Sequence, residues 1–316
     1  MIKRIASIDI GSYTARMIIA DKNINTGQIF PKFRFRDYIN VADYFTEDGI
    51  IKDEGINKTI DIIKRFYQQT KRNQVEKILA VATGVIRSAT NKDYFINRLK
   101  QETGIEIIPI SGVKEAILTA EGVLYSIDIK NKDTWLIIDI GGGSTEFFIN
   151  KHGKHEIYSI PIGAAVLNNR YLHNDPPNIF QLNKLSQYIN NMLKTHLQEI
   201  VYPTFDVIIG TGGSITSLAA VIHRMPLKEV TPEKINGKVL LKQRIKDLLT
   251  NMLTMDIEKR TKIFALDKNR AKVIIPGIII LLNIMDFFYS YYIIVSLSDL
   301  LEGLLLKPHA LKEEII

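Results

Sequence analysis

The chain has 316 residues, 46% of them apolar and 24% charged, with mean hydropathy +0.03. Apolar content this high, with 10 prolines and 19 glycines, excludes a disordered or collagen-like polypeptide, and the length predicts two domains that each bury a core. Cysteine is absent, which excludes disulfides, zinc–thiolate sites and a thiol nucleophile, and the net charge of +7 is a mild attraction for polyanions that names no ligand.

Asp9 interrupts the opening apolar run before a signal-peptide core is complete, so a cytoplasmic protein is expected. Ile5 to Ile10 reads as a strand, Gly11-Ser12 as a tight turn, and Ala15 to Ala20 as a second strand. From Asp53 to Arg72 the apolar residues Ile56, Ile60, Ile63 and Tyr67 have helical spacing. A buried strand is predicted over Ile78 to Thr83, a helix from the N-cap Asn91 to Gly104, a strand over Ile105 to Ile110, and a helix over Val113 to Tyr125.

The opening then repeats. Trp135-Leu136-Ile137-Ile138-Asp139-Ile140-Gly141 echoes Ala6-Ser7-Ile8-Asp9-Ile10-Gly11, a spacing far longer than a solenoid period. Two domains built on one plan follow, each beginning with a strand, a glycine turn and a strand. A third turn, Gly210-Thr211-Gly212-Gly213-Ser214, follows the predicted strand Val207 to Ile209. The loop at His173 to Pro177 precedes a helix around Leu182 to Ile200. The apolar stretch Val273 to Leu297 holds Pro276, Asn283 and Asp286, with its aromatic residues in the middle. A buried helix over Pro276 to Tyr289 and a strand over Tyr292 to Leu297 fit it better than a membrane span. Alternating strands and helices predict an α/β class.

Glycine lets successive backbone N–H groups approach an anion closely, so three glycine turns at strand ends point to phosphate. Asp9 and Asp139 at strand ends suit a divalent cation. A single such turn is more often a plain hairpin, but duplication with the acid in register favours the functional reading. Glu146 follows the Gly141-Gly142-Gly143-Ser144-Thr145 turn, while Arg16 and Arg87 are candidate forks for phosphate oxygens. Glu115 stands at a helix start. There it is either a carboxylate complementing the helix dipole or a general base facing phosphate, and both readings stay open. The histidines His152, His155, His173, His196, His223 and His309 lack metal-ligand spacing, and Lys268, Arg270 and Lys272 form a basic cluster ahead of the apolar helix.

Together, Ser7-Ile8-Asp9-Ile10-Gly11-Ser12-Tyr13 with Arg16, Ala82-Thr83 with Arg87, Ser111-Gly112 with Glu115-Ala116, Ile138 to Glu146, and Gly210 to Ser214 resemble the exopolyphosphatase/guanosine pentaphosphate phosphohydrolase family, in order from about Ile5 to Gly303. The resemblance implies a duplicated actin-like (ribonuclease H-like) α/β fold with a cleft between domains. Residues 1–125, joined by 300–316, would form one domain, and residues 126–299, with a helical insertion, the other. It implies Glu115 as the base that activates water, and Asp9, Asp139 and Glu146 at a Mg2+ ion. Gly11, Ser12, Arg16, Arg87, Gly141, Gly142, Gly143, Ser144, Gly212, Gly213, Ser214 and Arg270 would bind phosphate. Two places depart from the family pattern: Lys114 and Ile117 flank Glu115 where an acidic or polar residue and an arginine are usual, and Ser296 to Gly303 lacks the arginine of the family's Ser-Asp-x-Gly-x-Arg-Glu-Gly.

The implied activity is hydrolysis of the terminal phosphoanhydride of inorganic polyphosphate. Guanosine pentaphosphate, cleaved to the tetraphosphate, is the alternative substrate. The rivals are an ATP-using kinase of the same fold and a non-catalytic sensor of polyphosphate or an alarmone. Neither nucleic acid nor membrane is expected as a partner, and a homodimer is left open.

Overall fold

The computed structural model describes residues 1–311 apart from 130, 199, 201–203, 227–228 and 265. The chain folds as two compact units, one from Met1–Gly122 with Asp299–Ile316 and the other from Val123–Ser298.

In the first unit, β1 (Ile2–Ile10), β2 (Thr14–Asn23), β3 (Ile29–Tyr38), β4 (Lys77–Ala82) and β5 (Ile107–Pro109) form a sheet of order β3-β2-β1-β4-β5. The first three strands are antiparallel neighbours, and β4 and β5 run parallel to β1. The helices are α1 (Asp53–Arg72), α2 (Gly84–Ser88), α3 (Lys92–Thr103) and α4 (Gly112–Ser126), with α12 (Leu300–Leu306) returning from the C-terminal segment. The α1 and α3 boundaries match the periodicity. Asn91 stands at the N-cap of α3, yet its amide is spent on the Ile51 backbone, accepting from its N–H at 3.0 Å and donating to its carbonyl at 2.9 Å. The junction between units falls inside α4 rather than at its end.

Leu301 and Leu305 of α12 pack with Ile5, Ile18, Ala20, Ile29 and Leu79, while Leu300 and Leu304 pack with Val81, Ile110 and Leu118. Each fully buried leucine contributes roughly 1.5–3 kcal/mol, which fastens the returning helix to the first unit. Gly303 permits the close approach: a Cβ there would lie 1.8 Å from the Leu118 carbonyl oxygen of α4. Backbone cannot yield as a side chain does. Gly303→Ala is therefore expected to cost about 3 kcal/mol or more, read as a lowered thermal midpoint.

The second unit holds β6 (Thr134–Ile140), β7 (Thr145–Lys151), β8 (Lys154–Ile160), β9 (Val207–Thr211), β10 (Val239–Leu241) and β11 (Tyr292–Val295), ordered β10-β11-β9-β6-β7-β8. Read from β8 to β11, this is the order of the first sheet with the same strand directions, and β10 is added at its edge. The duplication foreseen from the Ile-Asp-Ile-Gly repeat is thus a duplication of the actin-like α/β plan. The helices are α5 (Ala164–Tyr171), α6 (Ile179–Leu197), α7 (Gly213–Ile222), α8 (Pro232–Ile235), α9 (Lys242–Leu253), α10 (Ile257–Phe264) and α11 (Lys268–Phe287).

Four expectations are corrected. β3 was not foreseen. β5 and β11 are shorter than Ile105 to Ile110 and Tyr292 to Leu297. α6 begins at Ile179 under an Asn178–Gln181 capping box, three residues ahead of the expected start. Most consequential, α11 starts at Lys268, so Lys268, Arg270 and Lys272 belong to its first turns and Pro276 lies inside it. Packing by α5, α6, α7, α9 and α10 on its sides holds the helix through the proline. The same enclosure explains why α11 is apolar on every side from Val273 to Leu282. Among the described residues, no helix is long and apolar enough to cross a membrane.

Candidate active site

In the first unit the turn after β1 is closed by the Gly11 N–H donating to the Thr14 carbonyl at 3.0 Å. Asp9, 5% exposed, lies opposite Arg16 in the β1–β2 register. Arg16 donates to Asp9 Oδ2 from Nε at 3.1 Å and Nη2 at 2.7 Å, and its Nη1 pairs with Asp299. Thr83 Oγ1 donates to the other Asp9 oxygen at 3.1 Å. Ser12 Oγ accepts the Val85 N–H at 2.9 Å and so serves the start of α2. Further along α2, Arg87 Nη1 pairs with Glu115 Oε2 and also reaches the Ile110 carbonyl at 3.4 Å. Glu115, 8% exposed, occupies the first turn of α4, where Ser111 Oγ accepts the Lys114 N–H at 3.1 Å. The base candidate is thus fixed by an ion pair.

The second unit repeats the turn, with the Gly141 N–H donating to the Ser144 carbonyl at 3.0 Å. Where the first unit sets Asp9 against Arg16, here Asp139 faces Glu146 in the β6–β7 register. Both carboxylates are buried, and Glu146 Oε1 accepts from Ser144 Oγ at 2.7 Å and Ser159 Oγ at 2.8 Å. Directly opposed like charges repel. A hard divalent cation, which keeps most of its waters and takes one or two carboxylates, relieves that repulsion. The Asp139–Glu146 pair therefore fits magnesium. Asp9 carries three hydrogen bonds, two from Arg16 to Oδ2 and one from Thr83 to Oδ1. Among the described residues no three histidine, aspartate or glutamate side chains gather as a metal site.

The third turn closes on the same carboxylate. Gly212 has φ +91, and a Cβ there would lie 2.5 Å from the Ile140 carbonyl oxygen and 2.6 Å from Asp139 Oδ1. A Cβ on Gly213 would lie 2.2 Å from Arg270 Nη2. Arg270 is buried near the start of α11, where the Asp267 side chain accepts its N–H at 2.8 Å. Ser214 is buried with its hydroxyl against Gly277.

The predicted site residues therefore fall into two sets: Asp9, Gly11, Ser12, Arg16, Arg87 and Glu115 in the first unit, and the remainder in the second. Among the described residues, the backbone N–H groups of Ser12, Gly142 and Gly143 meet no acceptor in the chain, as a phosphate cup requires. Of the turn serines, Ser12 accepts the Val85 N–H and Ser144 donates to Glu146 through their hydroxyls. Thr83, Asp299 and Ser159 were not assigned from sequence. Thr83 and Asp299 come from distant segments to hold Asp9 and Arg16, and Ser159 lies opposite Glu146 on the neighbouring strand β8.

Each unit thus carries a strand, a glycine turn and a strand with a buried acid, within a duplicated actin-like α/β fold. The model of the Ppx/GppA phosphatase family matches residues 19–311, and the chain belongs to that family. It is 34% identical over 311 residues to the bifunctional 3-dehydroquinate synthase/phosphatase of Fusobacterium nucleatum, which covers 96% of this chain and 46% of that protein; the chain thus spans about half the length of that relative. Exopolyphosphatase 2 of Mycobacterium tuberculosis is 24% identical, with 88% of each chain covered. The crystal structure of the Aquifex aeolicus Ppx/GppA family member superposes with a TM-score of 0.79 at 32% identity, covering 100% of both chains.

One buried acid stands behind the site. Glu302 of α12 is 2% exposed and paired with Arg34. Burial pushes its carboxyl above the ordinary glutamate value, the Arg34 guanidinium pulls it back, and the Asp299 carboxylate raises it again. A folded-state pKa above the unfolded one means that the stability from this group is full below the unfolded value and is lost as pH rises through the folded one. Thermal melts across pH are therefore expected to show Glu302→Gln losing less stability than the wild type above the ordinary glutamate range.

Proposed function

We propose that the chain is an exopolyphosphatase that hydrolyses the terminal phosphoanhydride of inorganic polyphosphate. What carries this reading is the first unit's Glu115, a carboxylate fixed by Arg87, together with the unengaged Ser12 N–H at that unit's glycine turn, a turn the second unit repeats with Gly142 and Gly143. Water attacks the terminal phosphorus in line, and Glu115 takes the proton that the attacking oxygen sheds. The bond from that phosphorus to the bridging oxygen breaks, and its electron pair leaves with the shortened polyphosphate. The N–H groups of Ser12, Gly142 and Gly143, with Arg16, Arg87 and Arg270, hold phosphate oxygens and stabilise the charge that develops. Asp9 anchors Arg16. Asp139 and Glu146 would hold Mg2+, whose chemistry is to neutralise phosphate charge.

Guanosine pentaphosphate is the alternative substrate, because a Vibrio atlanticus relative 23% identical over 256 residues is a guanosine-5'-triphosphate,3'-diphosphate pyrophosphatase and the same residues would serve either anhydride. Phosphate release is measured from polyphosphates of graded length and from guanosine pentaphosphate, with magnesium and with chelator. Magnesium-dependent release with a higher kcat/KM on polyphosphate is expected. Release from guanosine pentaphosphate alone would reassign the substrate, and tight binding without release would make the protein a sensor.

A further inference from the structure

We propose that Arg34, on the edge strand β3, is a positioning residue that holds Arg16 in its phosphate-binding place by acting through Glu302 and Asp299. The proposal rests on the reading of Arg16 as a phosphate ligand. In the β2–β3 register Arg16 lies opposite Arg36, and Ile18 opposite Arg34, so Arg16 and Arg34 project from the same face two positions apart. Both reach the start of α12.

Each oxygen of the two acids there has a partner. Asp299 Oδ2 takes Arg16 Nη1, while Oδ1 accepts the Leu301 N–H at 3.1 Å and caps the helix. The Asp299 N–H donates to Glu302 Oε2 at 3.1 Å, and Glu302 Oε1 takes Arg34 Nη2. Among the described residues, Glu302 is the hydrogen-bond partner of the Arg34 side chain. Arg36 is no substitute, since its guanidinium lies over the Tyr38 ring at 5.4 Å.

Charge explains why Arg34 is needed. Asp9, Asp299 and Glu302 are buried acids, and Arg16 and Arg34 are the guanidiniums set against them. Without Arg34, three carboxyl groups would share one guanidinium. Glu302, deprived of its counter-ion at 2% exposure, would then have to take a proton or move. Either change disturbs the capping box that fixes Asp299, and Asp299 is one of the two carboxylates aiming Arg16. A hydrophobic residue at 34 would fill the space without restoring the charge.

The test compares Arg34→Leu, Arg34→Lys and the double variant Arg34→Leu/Glu302→Gln in the full chain. The readouts are kcat and KM on polyphosphate with magnesium, calorimetric binding of inorganic tripolyphosphate, and the thermal midpoint. Arg34→Leu should raise KM and the tripolyphosphate Kd about tenfold with kcat within about twofold, and Arg34→Lys should fall between it and the wild type. The double variant should return KM to within about threefold of the wild type, because a glutamine in place of Glu302 accepts the Asp299 N–H without needing a counter-ion. A role confined to stability would lower the thermal midpoint of Arg34→Leu while leaving KM and the tripolyphosphate Kd unchanged. An unchanged KM in Arg34→Leu, or a double variant as impaired as the single, overturns the proposal. Should Arg34→Leu fail to fold, an unchanged KM and Kd in Arg34→Lys overturns it instead. If the wild type releases no phosphate from any substrate, the exopolyphosphatase reading fails and the tripolyphosphate Kd still decides the role of Arg34. An unaltered Kd in Arg16→Gln removes Arg16 as a phosphate ligand and the proposal with it.

Discussion

Glu115→Gln should lower phosphate release from polyphosphate by about 100- to 10,000-fold, the range over which a positioned general base contributes. Glutamine keeps the size of glutamate, and its oxygen still accepts from Arg87 Nη1, the contact that fixes Glu115. The first turn of α4 and the Ser111 Oγ bond to the Lys114 N–H are untouched. The thermal midpoint should therefore stay close to that of the wild type. What is lost is the capacity to accept a proton from the attacking water. KM should change little, because binding in this reading is the work of backbone N–H groups and arginines, and the defect should appear in kcat. Initial rates of phosphate release at saturating substrate, with magnesium present, decide the matter. A variant within about threefold of the wild type would remove Glu115 from the chemistry.

Residues that repeat or alternate were legible in the sequence. The Ile-Asp-Ile-Gly recurrence at Asp9 and Asp139 foretold two copies of one plan, and the α1 spacing of Ile56, Ile60 and Ile63 reported a buried helix face. β3 was missed although Phe33-Arg34-Phe35-Arg36 alternates. It is an edge strand with Phe33 46% exposed and Pro31 beside a register shift, so its pattern is not the clean buried one. α11 was read short because a proline usually ends a helix, whereas packing on its sides overrides that preference here. The site was legible to the extent that its residues lie in glycine turns. Long-range partnership was not. Nothing local in the sequence says that Arg16 meets Asp299 across 283 positions, or that Glu302 meets Arg34 across 268. The two copies also diverge at one register position, Arg16 against Glu146. That single difference makes the first unit's acid an anchor for arginine and the second unit's acid half of a carboxylate pair.

The adjacent glycines of the third turn should respond to the same substitution in opposite ways. Gly212→Ala adds a Cβ where φ is +91 and where the nearest atoms are the Ile140 carbonyl oxygen at 2.5 Å and Asp139 Oδ1 at 2.6 Å. The backbone conformation alone costs on the order of 1–3 kcal/mol. The contact with a strand carbonyl cannot be relieved by a rotamer change, so β6 or the turn must move, and Asp139 with it. A lowered thermal midpoint together with loss of phosphate release is expected. Gly213→Ala instead meets Arg270 Nη2 at 2.2 Å, the far end of a flexible side chain. Alanine is also a better helix residue than glycine at the start of α7, by roughly 1 kcal/mol. Stability should change little while the Arg270 guanidinium is pushed off the turn, so the cost should appear as weaker tripolyphosphate binding and a raised KM. Parallel melting and binding measurements on the two variants separate these outcomes. If Gly213→Ala bound tripolyphosphate as tightly as the wild type, Arg270 would be a buried counter-ion of the fold and not a phosphate ligand.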